Sequence, residues 1–266
     1  MVTQIIVKKK VRKLKNPVFL EGMPGVGNVG RIAAGFLVEK LKAEKIAELY
    51  SSYFQHVTLI HSDGTAHVIK GEFYIVKANK KNGLKRDLVI YLGDQQSELP
   101  QGTYELVHEI LKFIKKLGVK ELITMGGLKM DVAVDDPIVY GVASDKSIIK
   151  KYSKYPINFN SASKVGSIVG AVGLLIGYAP LYGMKGISLL VESFGPPILP
   201  DHKGAKKLLE LLQEVLSVKL DLSEIAKKAK EQDILKEKIM RAGAPAETVK
   251  REKKTDIGSS SLTYIG

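Results

Sequence analysis

Residues 18–42 read VFLEGMPGVGNVGRIAAGFLVEKLK, and this stretch limits the fold more than any other. A short apolar run, Val18 to Leu20, meets a loop with glycines at 22, 25, 27 and 30. Beyond it, Ile32, Ala33, Phe36, Leu37 and Leu41 recur at helical spacing, which predicts a helix over 27–42. Strand, glycine loop and helix in that order open an α/β domain, and they are also the setting in which nucleotide phosphates are commonly held.

Gly25-Val26-Gly27-Asn28-Val29-Gly30 matches G-x-G-x-x-G, and Glu48 stands where a ribose-binding acid is expected, in the apolar run Ile46 to Tyr53. Two details oppose a dinucleotide site. The fingerprint's first glycine should leave the strand directly, whereas Glu21-Gly22-Met23-Pro24 intervene here and Pro24 stiffens the turn. Gly22 and Gly27 have the separation of a P-loop, but Asn28-Val29 replace the Lys and Ser/Thr that would hold phosphate and magnesium. The sequence therefore favours a structural loop, in which Gly22, Pro24, Gly25, Gly27 and Gly30 let helix pack tightly on sheet, with no cofactor.

The rest of the chain alternates in the same way. Strands are expected at Ile5 to Val11, Ile46 to Tyr53, Val57 to Ile60, Ala66 to Lys77, Asp87 to Leu92, Glu121 to Met125, Ile138 to Val142 and Gly186 to Glu192. Helices are expected at 103–117, ending at Gly118, and at 145–152. Val165 to Met184 carries no charge, but Pro180 and Gly183 interrupt it. That leaves an apolar helix of about fifteen residues, too short to span a bilayer and suited to burial on a sheet. The pattern predicts a three-layer α/β sandwich with a mostly parallel central sheet. After Pro196-Pro197 the composition changes. An amphipathic helix, 201–217, precedes a second that starts with Asp221 and Glu224 in capping-box positions and runs to about Arg241. The expected division is an α/β core at 1–197, a helical extension at 198–245 and a flexible polar tail at 246–266.

Of 266 residues none is Cys, which excludes disulfides, thiolate zinc sites and cysteine nucleophiles and fits a reducing cytoplasm. The N-terminus has no long apolar stretch, so no signal peptide is expected. Net charge is +13. A basic cluster occupies residues 8–15, but the other basic residues are spread along the chain and no nucleic-acid motif accompanies them; an acidic protein partner suits the charge as well.

Chemistry-bearing constellations are sparse. No H-E-x-x-H or G-x-S-x-G occurs. The five histidines are scattered; His61 and Asp63 share a turn, and Asp131, Asp135 and Asp136 lack the ligand spacing of a calcium loop. Neither group is expected to bind metal, and no catalytic residue is assigned. Asp94-Gln95-Gln96 follows a central strand at its C-terminal end, where α/β enzymes place ligands. It sustains an alternative reading, a small-molecule enzyme using the Gly22–Gly30 loop as a nucleotide or phosphate site.

The stretch EGMPGVGNVGRIAAGFLVEKL resembles the signature of the proteasome assembly chaperone family in its archaeal branch, which carries E-G-x-P-G-x-G-x-x-G at the first strand–helix junction. Supporting segments are Leu122 to Leu128, the glycine-spaced run Gly166 to Gly177 and the strand Gly186 to Glu192, so the resemblance spans about Pro17 to Leu216. It implies an α/β core and a non-enzymatic homo-oligomer that binds proteasome core α-subunits or a related chaperone subunit; the composition adds the expectation of a cytoplasmic protein with no nucleic acid and no membrane involved. Proteins that dock on proteasomes often end in hydrophobic–Tyr–any residue. Here the chain ends Leu262-Thr263-Tyr264-Ile265-Gly266, with the tyrosine third from the end. Leu262, Tyr264, Ile265 and Gly266 are the candidate partner-binding residues, through carboxylate capture beside an aromatic anchor.

Overall fold

In the computed structural model, which describes residues 3–132, 134–160, 165–194 and 199–241, eight strands form one sheet. They are β1 (Thr3–Val7), β2 (Val18–Gly22), β3 (Glu44–Ser51), β6 (Gly71–Val76), β7 (Leu88–Gly93), β8 (Glu121–Met130), β9 (Val139–Ala143) and β10 (Lys185–Phe194). The order is β1-β3-β6-β7-β2-β8-β10-β9. β7, β2, β8 and β10 pair in parallel at the centre, and antiparallel strands flank them on both sides. Five strands thus point one way, β3 among them, and β1, β6 and β9 point the other. The short hairpin β4 (Thr58–Ile60) and β5 (Ala66–Val68) stands apart.

The central strands are apolar on both faces, as strands covered on both sides must be. Along β7, Leu88 and Ile90 face one core and Val89 and Tyr91 the other; along β2, Val18 and Leu20 oppose Phe19 in the same alternation. The first face is covered by α1 (Val29–Lys40), α3 (Lys146–Tyr152), α5 (His202–Leu216) and the start of α6 (Ser223–Arg241). The second is covered by α2 (Pro100–Lys116) and α4 (Ala171–Tyr178). Helix on both sides of a sheet gives the three-layer α/β sandwich expected from the sequence.

Helix α2 starts with Pro100, whose fixed φ suits a first turn, and buries Leu106, Val107, Ile110, Leu111 and Ile114. Helix α5 is opened by Asp201, whose carboxylate accepts the Gly204 N–H, and it buries Leu208, Leu209, Leu211, Leu212 and Leu216. At the start of α6 Asp221 accepts the Ser223 N–H. Glu224 is drawn to Lys40 and Lys228 instead of closing a capping box.

Four elements differ from the expectation. The first strand spans Thr3–Val7 rather than Ile5 to Val11, because its ladder with β3 covers Thr3 to Val7. The run Ala66 to Lys77 is split at Ile69-Lys70, where the Lys70 N–H is donated to the Asp94 carboxylate rather than to a strand. Strand β8 does not stop at the glycines but continues to Met130, because it pairs with β10 in unbroken parallel register from Glu121–Lys185 to Met130–Phe194. The uncharged run 165–184 yields only eight residues of α-helix, followed by a 3₁₀ turn at Ala179–Tyr182. Gly170 sits at φ 87, where a Cβ would lie 2.5 Å from the Gln96 side-chain oxygen, and that oxygen accepts the Ala171 N–H, so the helix begins at Ala171. Among the described residues no helix is long and apolar enough to cross a membrane.

Helix α5 lies in the same core cluster as α1 and β10. Leu212→Ala, at a site with no exposure, is expected to cost about 3 kcal/mol in urea unfolding; a loss below about 1 kcal/mol would show α5 to be peripheral.

Candidate functional site

The glycine loop lies at the end of the sheet where the parallel strands finish. From Gly22 the chain passes Met23 and Pro24 to a 3₁₀ turn at Val26–Asn28, closed by the Asn28 N–H donating to Gly25 O at 2.9 Å. Gly27 and Asn28 both take positive φ, 61 and 51. The turn then aims α1 back across the sheet.

The loop is held against protein on several sides. A Cβ on Gly30 would lie 2.3 Å from Met125 O, and one on Gly22 would lie 2.2 Å from the Ala34 Cβ. At Gly27 it would meet Ser193 Oγ at 2.6 Å and the Asp201 Cβ at 2.7 Å. Gly127 answers from β8, since a Cβ there would lie 2.4 Å from Val26 O. Helix α1 therefore reaches β8 almost backbone to backbone. Gly25 differs from the others, having open space where its Cβ would be.

Side chains tie the loop to its surroundings. The Gln96 amide donates to Pro24 O at 2.6 Å while its oxygen accepts the Ala171 N–H, linking the loop to α4. Arg31 donates to Gly93 O at 2.7 Å and to Asp94 at 3.1 Å. Asp201 donates its N–H to Gly27 O at 2.7 Å and accepts from the Ser193 hydroxyl and the Gly204 N–H. Asp94 and Gln96 thus act as struts. Gln95 Oε1 and the Tyr91 hydroxyl, which lies on Gly71, are buried and make no hydrogen bond among the described residues.

Glu21 is the buried acid of this region, with no exposure. One oxygen accepts the Met23 N–H at 2.6 Å and the other the Met125 N–H at 3.3 Å, so a single carboxylate joins β2, the loop and β8. Burial raises its pKa from 4.5 to about 7, against the pull of those two N–H donors. Composition and spacing do not mark Glu21 as a site residue. Its place one residue before Gly22, at the end of a fully buried strand, was the available signal.

The dinucleotide geometry does not form. Glu48 lies on β3, which is separated from β2 by β6 and β7, and it accepts from Lys70, Lys45 and Tyr50 and faces Lys8. The ammonium groups, Lys70 first, hold its carboxyl far below the usual carboxylate range. The Asp63 carboxylate serves Thr65, and His61 Nε2 lies 2.7 Å from His67 Nδ1; His67 in turn approaches Asp94 at 3.4 Å. Asp136 pairs with Lys207, and Asp135 lies 4.0 Å from Lys203. His108 bonds the Tyr182 hydroxyl at 2.7 Å, joining α2 to the turn after α4. Among the described residues no three His, Asp or Glu side chains gather as a metal site. Leu262, Tyr264, Ile265 and Gly266 lie outside the described residues.

Residues 19–240 match the PAC2 family. A crystal structure of Pyrococcus furiosus PbaB, an archaeal proteasome activator, is 33% identical and superimposes with a TM-score of 0.82, covering 90% of this chain and 99% of that one. Pyrococcus furiosus PbaA, an archaeal homolog of proteasome-assembly chaperone, is 26% identical with a TM-score of 0.70 over 91% of this chain and 92% of its own. A Methanocaldococcus jannaschii protein is 33% identical across 97% of this chain and 95% of its own length.

Two predictions follow from the loop. Gly30→Ala must displace β8 backbone and is expected to cost about 2 kcal/mol or more, whereas Gly25→Ala should leave stability within about 0.5 kcal/mol. Equal effects in chemical denaturation would contradict the packing described. The second concerns Glu21. Because its folded pKa is raised, its contribution is complete below about pH 4.5 and is lost as the pH rises through about 7. The unfolding free energy of the wild type relative to Glu21→Gln should fall by about 3 kcal/mol between pH 4.5 and pH 8. A flat difference would mean that Glu21 keeps an ordinary pKa.

Proposed function

We propose that this chain, which belongs to the PAC2 family, is a non-enzymatic assembly chaperone or adaptor that binds proteasome core α-subunits. The observation that carries the reading is the likeness to PbaB, a proteasome activator, at 33% identity over nearly the whole of both chains. The likeness to PbaA, a homolog of proteasome-assembly chaperone, points to the same class of partner.

The glycine loop supports a non-enzymatic role. Protein atoms occupy the space beside Gly22, Gly27 and Gly30. The polar groups nearest it, Glu21, Arg31, Asp94, Gln96 and Asp201, are each engaged by other protein groups. In this reading the loop is structural, and calorimetry with NAD, NADP, ATP and GTP at about 1 mM should give no binding; micromolar affinity for any of them would favour the enzyme alternative.

The contact with α-subunits is assigned to Leu262, Tyr264, Ile265 and Gly266, in a homo-oligomer of three or more copies. Residues 246–261 combine Lys and Arg with glycine and serine, a composition suited to a searching linker. The tyrosine ring would enter a pocket between neighbouring α-subunits and the terminal carboxylate would meet a cation there. Loss of such an anchor costs about 2 kcal/mol or more, about thirtyfold in affinity. Removal of residues 262–266 should therefore abolish capture of assembled α-rings in a pull-down, with the oligomer's mass by light scattering unchanged. Undiminished capture would move the contact to the α/β body.

A further inference from the structure

Basic residues that are scattered in the sequence meet at one end of this fold. The four parallel central strands begin at the same end of the sheet, opposite the glycine loop. Segments 8–17, 77–87 and 115–121 lead into the starts of β2, β7 and β8, while 145–154 follows β9, whose end pairs beside the start of β10. Together these four segments hold 18 Lys and Arg against three Asp and Glu. Their excess of 15 positive charges exceeds the +13 of the whole chain, so the remainder is close to neutral.

The three acids are spent on architecture. Asp87 accepts the N–H groups of Lys15 and Ala78, each at 2.8 Å, and is nearly fully buried. Glu121 accepts from the Tyr152 hydroxyl at 2.7 Å and faces Arg86 and Lys151. Burial alone would raise its pKa, but the bonds from Lys151 and Tyr152 and the charge of Arg86 bring it below the ordinary value. Asp145 caps α3 and faces Lys185. These contacts lash the four segments together: Arg86 also donates to Asn16 O and Pro17 O, and the Lys77 ammonium meets Lys13 O. Lys80, Lys81, Lys85, Lys150 and Lys154 have no carboxylate partner among the described residues. Holding so many like charges together is unfavourable unless a partner of opposite sign uses them.

A cavity of about 220 Å³ opens in the middle of this end. Val18, Leu88, Ile123, Val215 and Leu216 contribute its apolar walls, and Lys85, Arg86, Lys151 and Lys154 contribute cations; Glu121 also lines it, paired with Arg86 and Lys151, which leaves Lys85 and Lys154 as its free charges among the described residues. We propose that this end is a docking surface for an acidic segment of a partner protein, with one aliphatic side chain of that segment seated in the cavity and its carboxylates on the surrounding lysines. A pocket with aliphatic walls and a charged rim has the anatomy of an interface hot spot, in which the walls give affinity and the rim gives on-rate and orientation.

The same features oppose a single-stranded nucleic acid. Such partners want open aromatic faces for their bases and Arg for bidentate contact with phosphate. Here the ammonium groups of Lys151 and Lys154 lie over the rings of Tyr152 and Tyr155 at 5.6 and 5.1 Å, and 16 of the 18 cations are lysines. Arg86 is already bound to backbone and to Glu121. The surface is built from described residues alone and does not depend on the C-terminal contact proposed above.

The test uses the full-length protein and three fluorescein-labelled probes read by anisotropy: a 12-residue Glu/Asp peptide with a central Leu, the same peptide with Ser in its place, and a 12-nucleotide oligouridine. The Leu peptide should bind with micromolar affinity at 50 mM salt and at least tenfold more weakly at 300 mM. The Ser peptide should bind severalfold more weakly. The double variant Lys85→Glu/Lys154→Glu should lose at least tenfold with an unchanged melting curve. Lys227→Glu/Lys230→Glu, an equal charge change on the exposed face of α6, should lose less than threefold. The proposal is overturned if the Leu peptide does not bind at 50 mM salt, if the two double variants are equivalent, if Leu and Ser peptides bind alike, or if oligouridine binds more tightly than the peptide.

Discussion

The near contact of α1 with β8 governs the arrangement of the rest. With glycine at 22, 30 and 127, the helix lies so close to the sheet that Met125 O and Val26 O occupy the places of absent Cβ atoms. Beside that contact, the parallel pairing of β2 with β8 at Glu21–Thr124 and the turn after Gly22 bring the backbone N–H groups of Met125 and Met23 within reach of one carboxylate, Glu21. An ionised carboxylate in a dry interior is costly, and two N–H donors offset only part of that cost, so the group keeps its proton up to about neutrality. The same closeness fills with protein atoms the space beside Gly22, Gly27 and Gly30, although the sequence spacing is that of a nucleotide binder.

Opposite ends of the sheet are specialised by the direction of the parallel strands. Where the strands finish, Gln96 and Asp201 tie the loop to α4 and α5, while Gln95 Oε1 and the Tyr91 hydroxyl stay buried without a hydrogen bond among the described residues. Where they begin, the segments that enter β2, β7 and β8 and the one that follows β9 carry charge nearly all of one sign, and two acids, the buried Asp87 and the partly buried Glu121, hold those segments in place. A cleft that binds small molecules and a charged face that binds a protein make opposite demands. The first requires unsatisfied groups pointing inward; the second requires unsatisfied charges pointing outward with an apolar centre. This molecule meets the second demand at the strand-start end.

Much of the fold was legible because its signals are local. The switch from strand to helix at residues 22–29, the apolar stripe of α2 and the leucines of α5 each follow from spacing within a few turns of chain. Where reading failed, a distant residue had decided. Gln96 sets the start of α4, Asp94 breaks the run before Gly71, and the pairing with β10 carries β8 past two glycines. Glu21 gave no sign of its pKa, since the donors that flank it come from residue 23 and from residue 125.

By itself the sequence determined the class of fold and the absence of thiol chemistry. Each of these depends on what a residue is and on its near neighbours. Only the tertiary structure decided where charge accumulates. Lysines at 15, 85, 120 and 154 are far apart along the chain, and a composition of +13 reads as diffuse. Parallel strands, however, return to the same end after every crossover, so the segments that precede them must converge. Like charges gathered by that topology form one surface, and no window of sequence contains it.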